Sequence, residues 1–417
     1  MIRKFLIAAC CGLSLSACAT YQTKVDQART SLKENPTKAA ESLKPLAEAE
    51  GKDQLVYLLD YATALQLAKQ YQESAAAFQK AEQIADIKDY HSISQIATAA
   101  VLSEEMIQYK GDDYEKVLIN GMNAINYLEM GDLDGALVEV RRFNEKLNKF
   151  RLEAKRNYAQ NPYALYLSAM IYEADRKYDD AYIAYENTYK VAPSYTPLRE
   201  DLVRSATRAQ RDETAAKWKK EFPEVKAKPE WKDKNIGEVI LVYAQGWGPR
   251  KRARPENFRF PKLYPVGSLT KSAKLVVSNQ NISQALEDDK SATSEEVFNL
   301  TDTAIKTLDD DYGRLIASRV GGFATKAVIA DQIRQKDDAL GMLALIALNA
   351  ADRADVRQWS TLPDTFQIAR VYVKPGTYKV KAQGLNSSGL PSGEDMPERE
   401  ITVKPGQKIF MSWRSLN

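Results

Sequence analysis

The chain is 417 residues long and carries 59 Lys and Arg against 56 Asp and Glu, with one histidine and three cysteines. So even a charge balance leaves no strongly basic domain to track a nucleic-acid backbone, and no nucleic-acid partner is expected. The cysteines, Cys10, Cys11 and Cys18, all fall at the N-terminal end, which removes disulfides, cysteine nucleophiles and thiolate metal sites from the remainder. His91 is the only histidine, so a multi-histidine zinc site is excluded, and neither a metal nor a cofactor is expected.

The N-terminus reads as an export signal. Arg3 and Lys4 precede an apolar run from Phe5 to Ala17, and Leu15-Ser16-Ala17-Cys18 has the order of a lipobox. The run spans thirteen residues, short of the roughly twenty that cross a bilayer as a helix. Residues 1–17 are therefore predicted to be a cleaved signal peptide. Cys18 is the predicted lipid attachment site, bearing diacylglycerol and an amide-linked acyl chain such as palmitate, because durable anchoring takes more than one chain. Ala19 follows the cysteine in place of Asp, which points to the outer membrane with the protein facing the periplasm. Loss of residues 1–17 leaves 57 basic and 56 acidic side chains.

From 22 to 220 the pattern predicts an all-α domain in which a helix-turn-helix signature of tetratricopeptide type recurs. The clearest copy spans 162–195, with Tyr172, Tyr178, Ala181, Tyr185 and Pro193 at fixed offsets and Ala169 where paired helices approach. A second, over 55–87, carries Ala62, Leu65, Tyr71, Ser74, Phe78 and Ala81 in the same register. A third, over 117–150, carries Ala124, Tyr127, Leu133, Ala136, Val140 and Phe143. Tyr71, Leu133 and Tyr178 lie 62 and 45 residues apart, wider than the repeat of about 34. An extra helix over His91–Tyr109 is expected to fill the first gap, and residues 24–50 to form a degenerate opening pair. The prediction is an irregular superhelix of about eight to ten helices whose stacked pairs leave a concave face for an extended peptide or a partner helix. Tyr61, Tyr71, Tyr127, Tyr172, Tyr178 and Tyr185 hold packing positions and are predicted to fill the core. Tyr163, Tyr166, Tyr182 and Tyr189 lie off the register and are the predicted surface contacts to a partner.

The stretch Gly111-Asp112-Asp113-Tyr114-Glu115-Lys116-Val117-Leu118-Ile119-Asn120, with Asn126-Tyr127-Leu128, Gly131-Asp132 and Glu139-Val140-Arg141-Arg142, resembles a family of bacterial tetratricopeptide-repeat lipoproteins with a C-terminal β-rich domain. Asp355-Val356-Arg357-Gln358-Trp359-Ser360-Thr361-Leu362-Pro363 extends the likeness into the second half. The resemblance implies a fold and a location, and brings no activity.

Pro223, Pro229 and the charged run Lys226 to Lys234 mark a predicted linker over 221–235, ahead of a β-rich domain over 236–417. Gly237 to Tyr243 reads as a buried strand. Further strands are predicted near 257–260, 263–266, 274–278, 366–373, 376–383, 398–403 and 408–413. Lys374-Pro375-Gly376-Thr377 and Lys404-Pro405-Gly406-Gln407 repeat one turn, with Pro fixing φ and Gly expected at positive φ. The pattern suits a small sandwich of transthyretin-like or carboxypeptidase-regulatory-like appearance. A helical insert is predicted over 294–354 from Val297, Leu300, Ala304, Leu308, Leu315 and Val320, and Ala339–Ala351 reads as a buried helix. The fold class is α+β: a tetratricopeptide-like superhelix, then a β-sandwich-like domain with a helical insert.

The sharpest charged feature is Gln245-Gly246-Trp247-Gly248-Pro249-Arg250-Lys251-Arg252-Ala253-Arg254. Trp247, Arg250, Lys251, Arg252 and Arg254 form a predicted anion-binding loop, because guanidinium forks and an indole suit phosphate or carboxylate. It lacks the spacing of a phosphate-binding P-loop. Asp309-Asp310-Asp311 and Glu287-Asp288-Asp289 show neither a calcium-loop spacing nor a feature that sets two carboxylates to acid and base roles, so no catalytic residues are expected. Trp359 is predicted to plug the junction between the insert and the following strands. These readings predict a non-catalytic envelope adaptor whose repeats hold a protein of the outer-membrane or cell-wall assembly machinery. The alternative is a module that binds an anionic glycan or peptidoglycan through loop 245–254.

Overall fold

The computed structural model describes residues 16–90, 108–153, 161–279, 290–310 and 354–417, with 312, 313, 331 and 335. The extra helix expected over His91–Tyr109, the acidic run Glu287-Asp288-Asp289, and Leu315, Val320 and Ala339–Ala351 of the insert lie outside these residues, apart from Gln108 and Tyr109. So do residues 1–15 of the signal segment. Cys18 falls in the first turn of a helix, and its side chain is outside the description.

Two compact units make up the chain. The first takes Met1–Asp112, Arg250–Leu263 and Asp311–Thr361; the second takes Asp113–Pro249, Tyr264–Asp310 and Leu362–Asn417. The first holds helices α1 (Ser16–Glu34), α2 (Pro36–Glu48), α3 (Gln54–Leu67) and α4 (Tyr71–Tyr90). The second holds α5 (Asp113–Glu129), α6 (Leu133–Glu153), α7 (Pro162–Ala174), α8 (Tyr178–Val191), α9 (Pro197–Arg208) and α10 (Asp212–Glu221). Within each unit every helix packs on the one before it, as stacked hairpins do. Ten helices among the described residues up to Glu221 fit the expected count.

The repeat is written most plainly in its turns. Lys69, Gly131, Arg176 and Gln210, each two residues before the second helix of a hairpin, adopt φ of 62°, 73°, 62° and 56°. In each case the next N–H returns to a carbonyl five residues back: Gln70 to Leu65 at 2.9 Å, Asp132 to Tyr127 at 2.9 Å, Lys177 to Tyr172 at 2.9 Å and Arg211 to Ala206 at 3.0 Å. This closure satisfies carbonyls that the helix end leaves open. Helix starts are equally local. Asn35 and Asn161 cap α2 and α7 with their side-chain oxygens, each followed by a proline at the first helical position.

Among the described residues ten strands follow: β1 (Gly237–Gln245), β2 (Arg250–Ala253), β3 (Pro261–Tyr264), β4 (Ser272–Asn279), β5 (Lys290–Thr293), β6 (Glu295–Asn299), β7 (Thr365–Val373), β8 (Gly376–Leu385), β9 (Pro391–Val403) and β10 (Lys408–Arg414). Eight of them, in the second unit, build a sandwich of two four-stranded sheets, ordered β10-β1-β7-β6 and β5-β4-β8-β9, and β2 pairs with β3 separately. Strand β1 runs parallel to β10 and antiparallel to β7. Val239, Leu241 and Tyr243 of β1 meet Leu275, Val277 and Val380 of the other sheet in the core. All nine residues of β1 are buried, because its second face is covered by helices. That is why the strand reads as an unbroken apolar run instead of an alternation.

Several expectations are corrected here. Residues 257–260 form no strand, whereas 250–253, read as a loop, is one. Val297 sits on β6, and the insert's first helix, α11 (Leu300–Asp310), begins three residues later. A single stretch, β5 to β6, changes sheets at Ser294, whose N–H and hydroxyl bond Ala273 O and Gln367. Gly406 takes the expected positive φ of 68°, and a Cβ there would lie 2.7 Å from Lys234 O; Gly376 does not take it. The stretch 221–235 is docked, not free. Lys228 Nζ lies 2.7 Å from Glu200 on α9, and Trp231 is buried with its Nε1 donating to the same carboxylate.

Candidate functional site

A partner is expected on the face lined by the first helix of each hairpin. In the second unit that face is taken by the chain's own sheet. Tyr163 of α7 stacks on Phe366 of β7 with ring centroids 4.2 Å apart. Glu129, at the end of α5, accepts from the Ser412 hydroxyl at 2.7 Å and from Arg399 at 2.9 Å. Between α7, α9 and the sheet lies a buried ionic cluster. Arg370 of β7 reaches Glu238 of β1 at 2.5 Å, Asp201 of α9 at 2.6 Å and the Tyr166 hydroxyl at 3.0 Å. Lys408 pairs with Glu238, its direct neighbour across the parallel strands, and Arg204 pairs with Glu173. Burial works against the charge on Glu238, yet Arg370, Lys408 and Arg204 together hold its carboxyl well below the usual range. Burial pushes Lys408 down to about 7 against the pull of Glu238. Every one of these groups is sequestered, so the cluster clamps helices to sheet and offers no exposed acid or base.

The first unit fills its corresponding face with residues 354–361. Trp359, 1% exposed, rests against Phe78 of α4 with centroids 5.6 Å apart and donates Nε1 to Thr63 of α3 at 3.0 Å. Arg357 bonds Asp53 at 2.8 Å and Asp355 at 2.7 Å. Asp60 of α3 receives the Ser360 hydroxyl at 3.0 Å, the Thr361 N–H at 3.1 Å and the Thr361 hydroxyl at 2.9 Å. Trp359 therefore plugs a helical hairpin, not the junction between insert and strands.

Burial raises the Asp60 carboxyl from 3.8 to about 6, with the Thr361 and Ser360 bonds and Arg29 opposing the rise. A carboxyl that binds its proton more tightly when folded adds stability at low pH, and loses that contribution as pH climbs through about 6. Relative to Asp60→Asn, the native first unit should gain about 2 kcal/mol between pH 7 and pH 4.5. Urea midpoints of the two proteins at those pH values measure it, and parallel responses would contradict it.

The predicted partner tyrosines do not lie as expected. Tyr163, Tyr166 and Tyr182 are buried, at 0%, 0% and 1% exposure, and Tyr189 is half-buried with its ring edge-on to Trp218 and Phe222. Of the six register tyrosines only Tyr185 is buried, and the other five are half-buried. The inversion has two causes: Tyr163 and Tyr166 face the sheet, a second core that the repeat pattern does not encode, while Tyr182 and Tyr189 pack against Trp218 of the next hairpin. The basic loop is also absorbed. Trp247 is buried and donates to Leu416 O at 2.9 Å. Arg250 pairs with Asp26, buried Lys251 with Asp112 at 2.8 Å, and Arg254 with Pro261 O at 3.2 Å and the face of Tyr312 at 4.0 Å. Arg252 alone of the five is exposed. These cations serve the chain's own carboxylates, carbonyls and rings, so the anion-binding reading of this loop loses its ligand groups.

What stays open is a groove of about 570 Å³ across α6, α7 and α8. Asn144 and Asn148 are one turn apart on α6, Ser168 and Tyr172 line it from α7, and Ile183 and Asn187 from α8. Asn144 donates to the Ser168 hydroxyl at 3.1 Å, while its own carbonyl oxygen is buried with no partner. Ile183 is 40% exposed. No signal marks this groove in the sequence apart from the turn spacing of its asparagines. Among the described residues there is no cluster of three or more metal-ligating side chains, and no helix is long and apolar enough to cross a membrane.

No protein-family model and no curated protein sequence matches the chain. Among solved structures, it is similar to the nearly identical tetratricopeptide-like repeats of a kinesin light chain from Podosopora anserina, at 14% identity, covering 50% of this chain and 96% of that one with a TM-score of 0.35. MamA from Desulfovibrio magneticus RS-1 matches at 16% identity, covering 49% of this chain and 93% of its own, with a TM-score of 0.33. PlcR of Bacillus thuringiensis, in complex with the peptide PapR7 and DNA, matches at 14% identity, covering 50% and 72% with a TM-score of 0.29. The tetratricopeptide-like character of this chain rests on its own repeated hairpins and their common turn.

Proposed function

We propose that the chain is a lipid-anchored adaptor of the bacterial envelope, facing the periplasm from the outer membrane, that holds a partner protein without catalysing a reaction. The observation that carries the reading is the open groove across α6–α8. Carboxamide side chains present a donor and an acceptor together, which matches the amide groups of an extended peptide. Asn148 and Asn187 line the groove from opposite helices, and Ile183 beside Leu147 and Leu165 offers an apolar seat for one side chain. Location is supported by the order of charged segment, apolar run and Cys18 in the sequence. The partner class that fits this location is the assembly machinery of the outer membrane or the cell wall.

A photo-crosslinking residue at Ile183 in growing cells tests the groove, with exposed Val138 of α6 as the control position. A discrete protein adduct is expected at Ile183 and not at Val138. Asn148→Ala with Asn187→Ala should weaken capture roughly thirty-fold, from two lost hydrogen bonds at about 1 kcal/mol each. An adduct indifferent to the double substitution, or equally strong at Val138, sinks the reading. Separately, a labelled fatty acid should be incorporated into the native protein and not into Cys18→Ser.

A further inference from the structure

The two copies of the Lys-Pro-Gly turn meet at one end of the sandwich. Val373, which ends β7, pairs with Gly237 of β1, and Gly376, which opens β8, pairs with Val403 of β9. Lys374 and Lys404 follow those two strand ends directly, and each turn carries the chain from one sheet to the other. A third connection joins them there. The Gly406 N–H bonds Asn235 O at 3.0 Å and the Glu238 N–H bonds Gln407 O at 2.9 Å, which lays the stretch entering β1, with Lys232 and Lys234, against the second turn. The base is stiff. Pro375 and Pro405 hold the lysine before each in extended backbone, and Gly406 lies too close to Lys234 O to carry a side chain.

Lys232, Lys234, Lys374 and Lys404 are all exposed, and among the described residues none of their ammonium groups has a hydrogen bond or an ion pair. The carboxylates on these connections and the short turn before them are Glu230 and Asp233, and Asp233 already accepts the Asn235 N–H at 2.8 Å. Four ammoniums against two carboxylates leave this end basic, in a chain whose 59 basic and 56 acidic residues nearly cancel. Like charges gathered on a stiff base repel one another, and an anionic surface relieves that repulsion. The residue type points to lipid. Ammoniums are strongly hydrated point charges without the planar fork that reads a single carboxylate or phosphate. Mobile phospholipid headgroups gather beneath such a cluster without a matched site, and each lysine near them strengthens attachment about five-fold. We propose that this end of the sandwich is a membrane-facing surface that binds anionic phospholipid headgroups, a contact independent of Cys18 and of the α6–α8 groove.

Co-sedimentation of the full chain carrying Cys18→Ser with phosphatidylcholine vesicles, with and without one third phosphatidylglycerol, tests the assignment. Residues 1–17 are common to every variant, so differences between variants read the lysines alone. Lys374→Gln with Lys404→Gln should weaken binding to the anionic vesicles about thirty-fold and leave binding to the neutral ones unchanged. Lys274→Gln with Lys381→Gln removes the same charge from exposed positions on the outer face of the second sheet, and should change binding less than about two-fold. At about 0.5 M salt, where charges a few ångström apart are already screened, the native advantage over the turn variant should vanish. Equal losses from the two pairs would mean that only total charge counts, and overturn the proposal. So would anionic-vesicle binding indifferent to Lys374→Gln with Lys404→Gln. One-to-one micromolar binding of deca-glutamate with the same dependence on those two lysines would make the partner an acidic protein, and overturns it too.

Discussion

Trp359→Ala is expected to remove about 3–5 kcal/mol from the stability of the first unit, the largest loss available there from one side chain. Trp359 is among the largest fully buried side chains in the molecule, and its indole reaches Phe78 on α4 and Thr63 on α3 together. Truncation would open a void where α3 and α4 meet and remove the indole N–H bond to the Thr63 hydroxyl. The neighbouring bonds from Ser360 and Thr361 to Asp60 would weaken as well, since they are held in register by the seated ring. Trp359→Phe keeps most of the apolar contact and deletes only the indole N–H, so it should cost about 1–2 kcal/mol. Urea denaturation followed by helical circular dichroism reads both. If the alanine protein unfolded at the native midpoint, residues 354–361 would be a loose strap and not part of the core.

Arg370→Met should destabilise the second unit by about 3–5 kcal/mol at neutral pH. The cost comes less from the lost attraction than from what stays behind: Asp201 and Glu238, both buried, would face each other without the guanidinium that separates them. Its pH dependence distinguishes this from simple loss of packing. In the native protein the cations keep Glu238 ionised far below the ordinary carboxylate range, so its contribution is present above the unfolded pKa and falls away only in strong acid. In the variant the carboxyls bind protons more tightly when folded, and stability is regained as pH drops toward 4. The gap between native and variant midpoints should therefore narrow on acidification. A gap constant from pH 7 to pH 4.5 would mean the cluster's charges do not govern the cost.

The sequence made the helical repeats legible because small and aromatic residues recur at fixed offsets, and the three hairpins named from it are present. A fourth, α9–α10, went unnamed as a repeat because Asp212 stands where Tyr71, Leu133 and Tyr178 stand in the others, although it follows Tyr178 by the full 34 residues. Its turn gives it away only in three dimensions, through Gln210 at positive φ. Strands β1, β4 and β7–β10 were readable from apolar or alternating runs. β2 was hidden by its charge, Arg250-Lys251-Arg252-Ala253, whose basic side chains find partners distant in sequence such as Asp26 and Asp112. The site was less legible still. Tyr163 and Tyr166 looked like surface because a one-face repeat pattern carries no information about a sheet laid on the opposite face, and Tyr182 because the hairpin that covers it, with Trp218, was not named as a repeat. The asparagines of the α6–α8 groove are ordinary helix residues in one dimension.

The first unit is assembled from three separated stretches of chain, and this imposes a schedule on folding. Thr63 and Trp359, which hydrogen-bond in the finished protein, are 296 positions apart. At ribosomal speeds of about 5–20 residues per second, roughly 15–60 s pass between the appearance of one and of the other. Throughout that interval α3 and α4 lack their aromatic wedge and expose Phe78 and its surroundings, a state prone to aggregate unless something shields it. Fragments ending before residue 354 would hold the opening hairpins in that unfinished condition permanently, so the oldest part of the nascent chain is among the last to become stable.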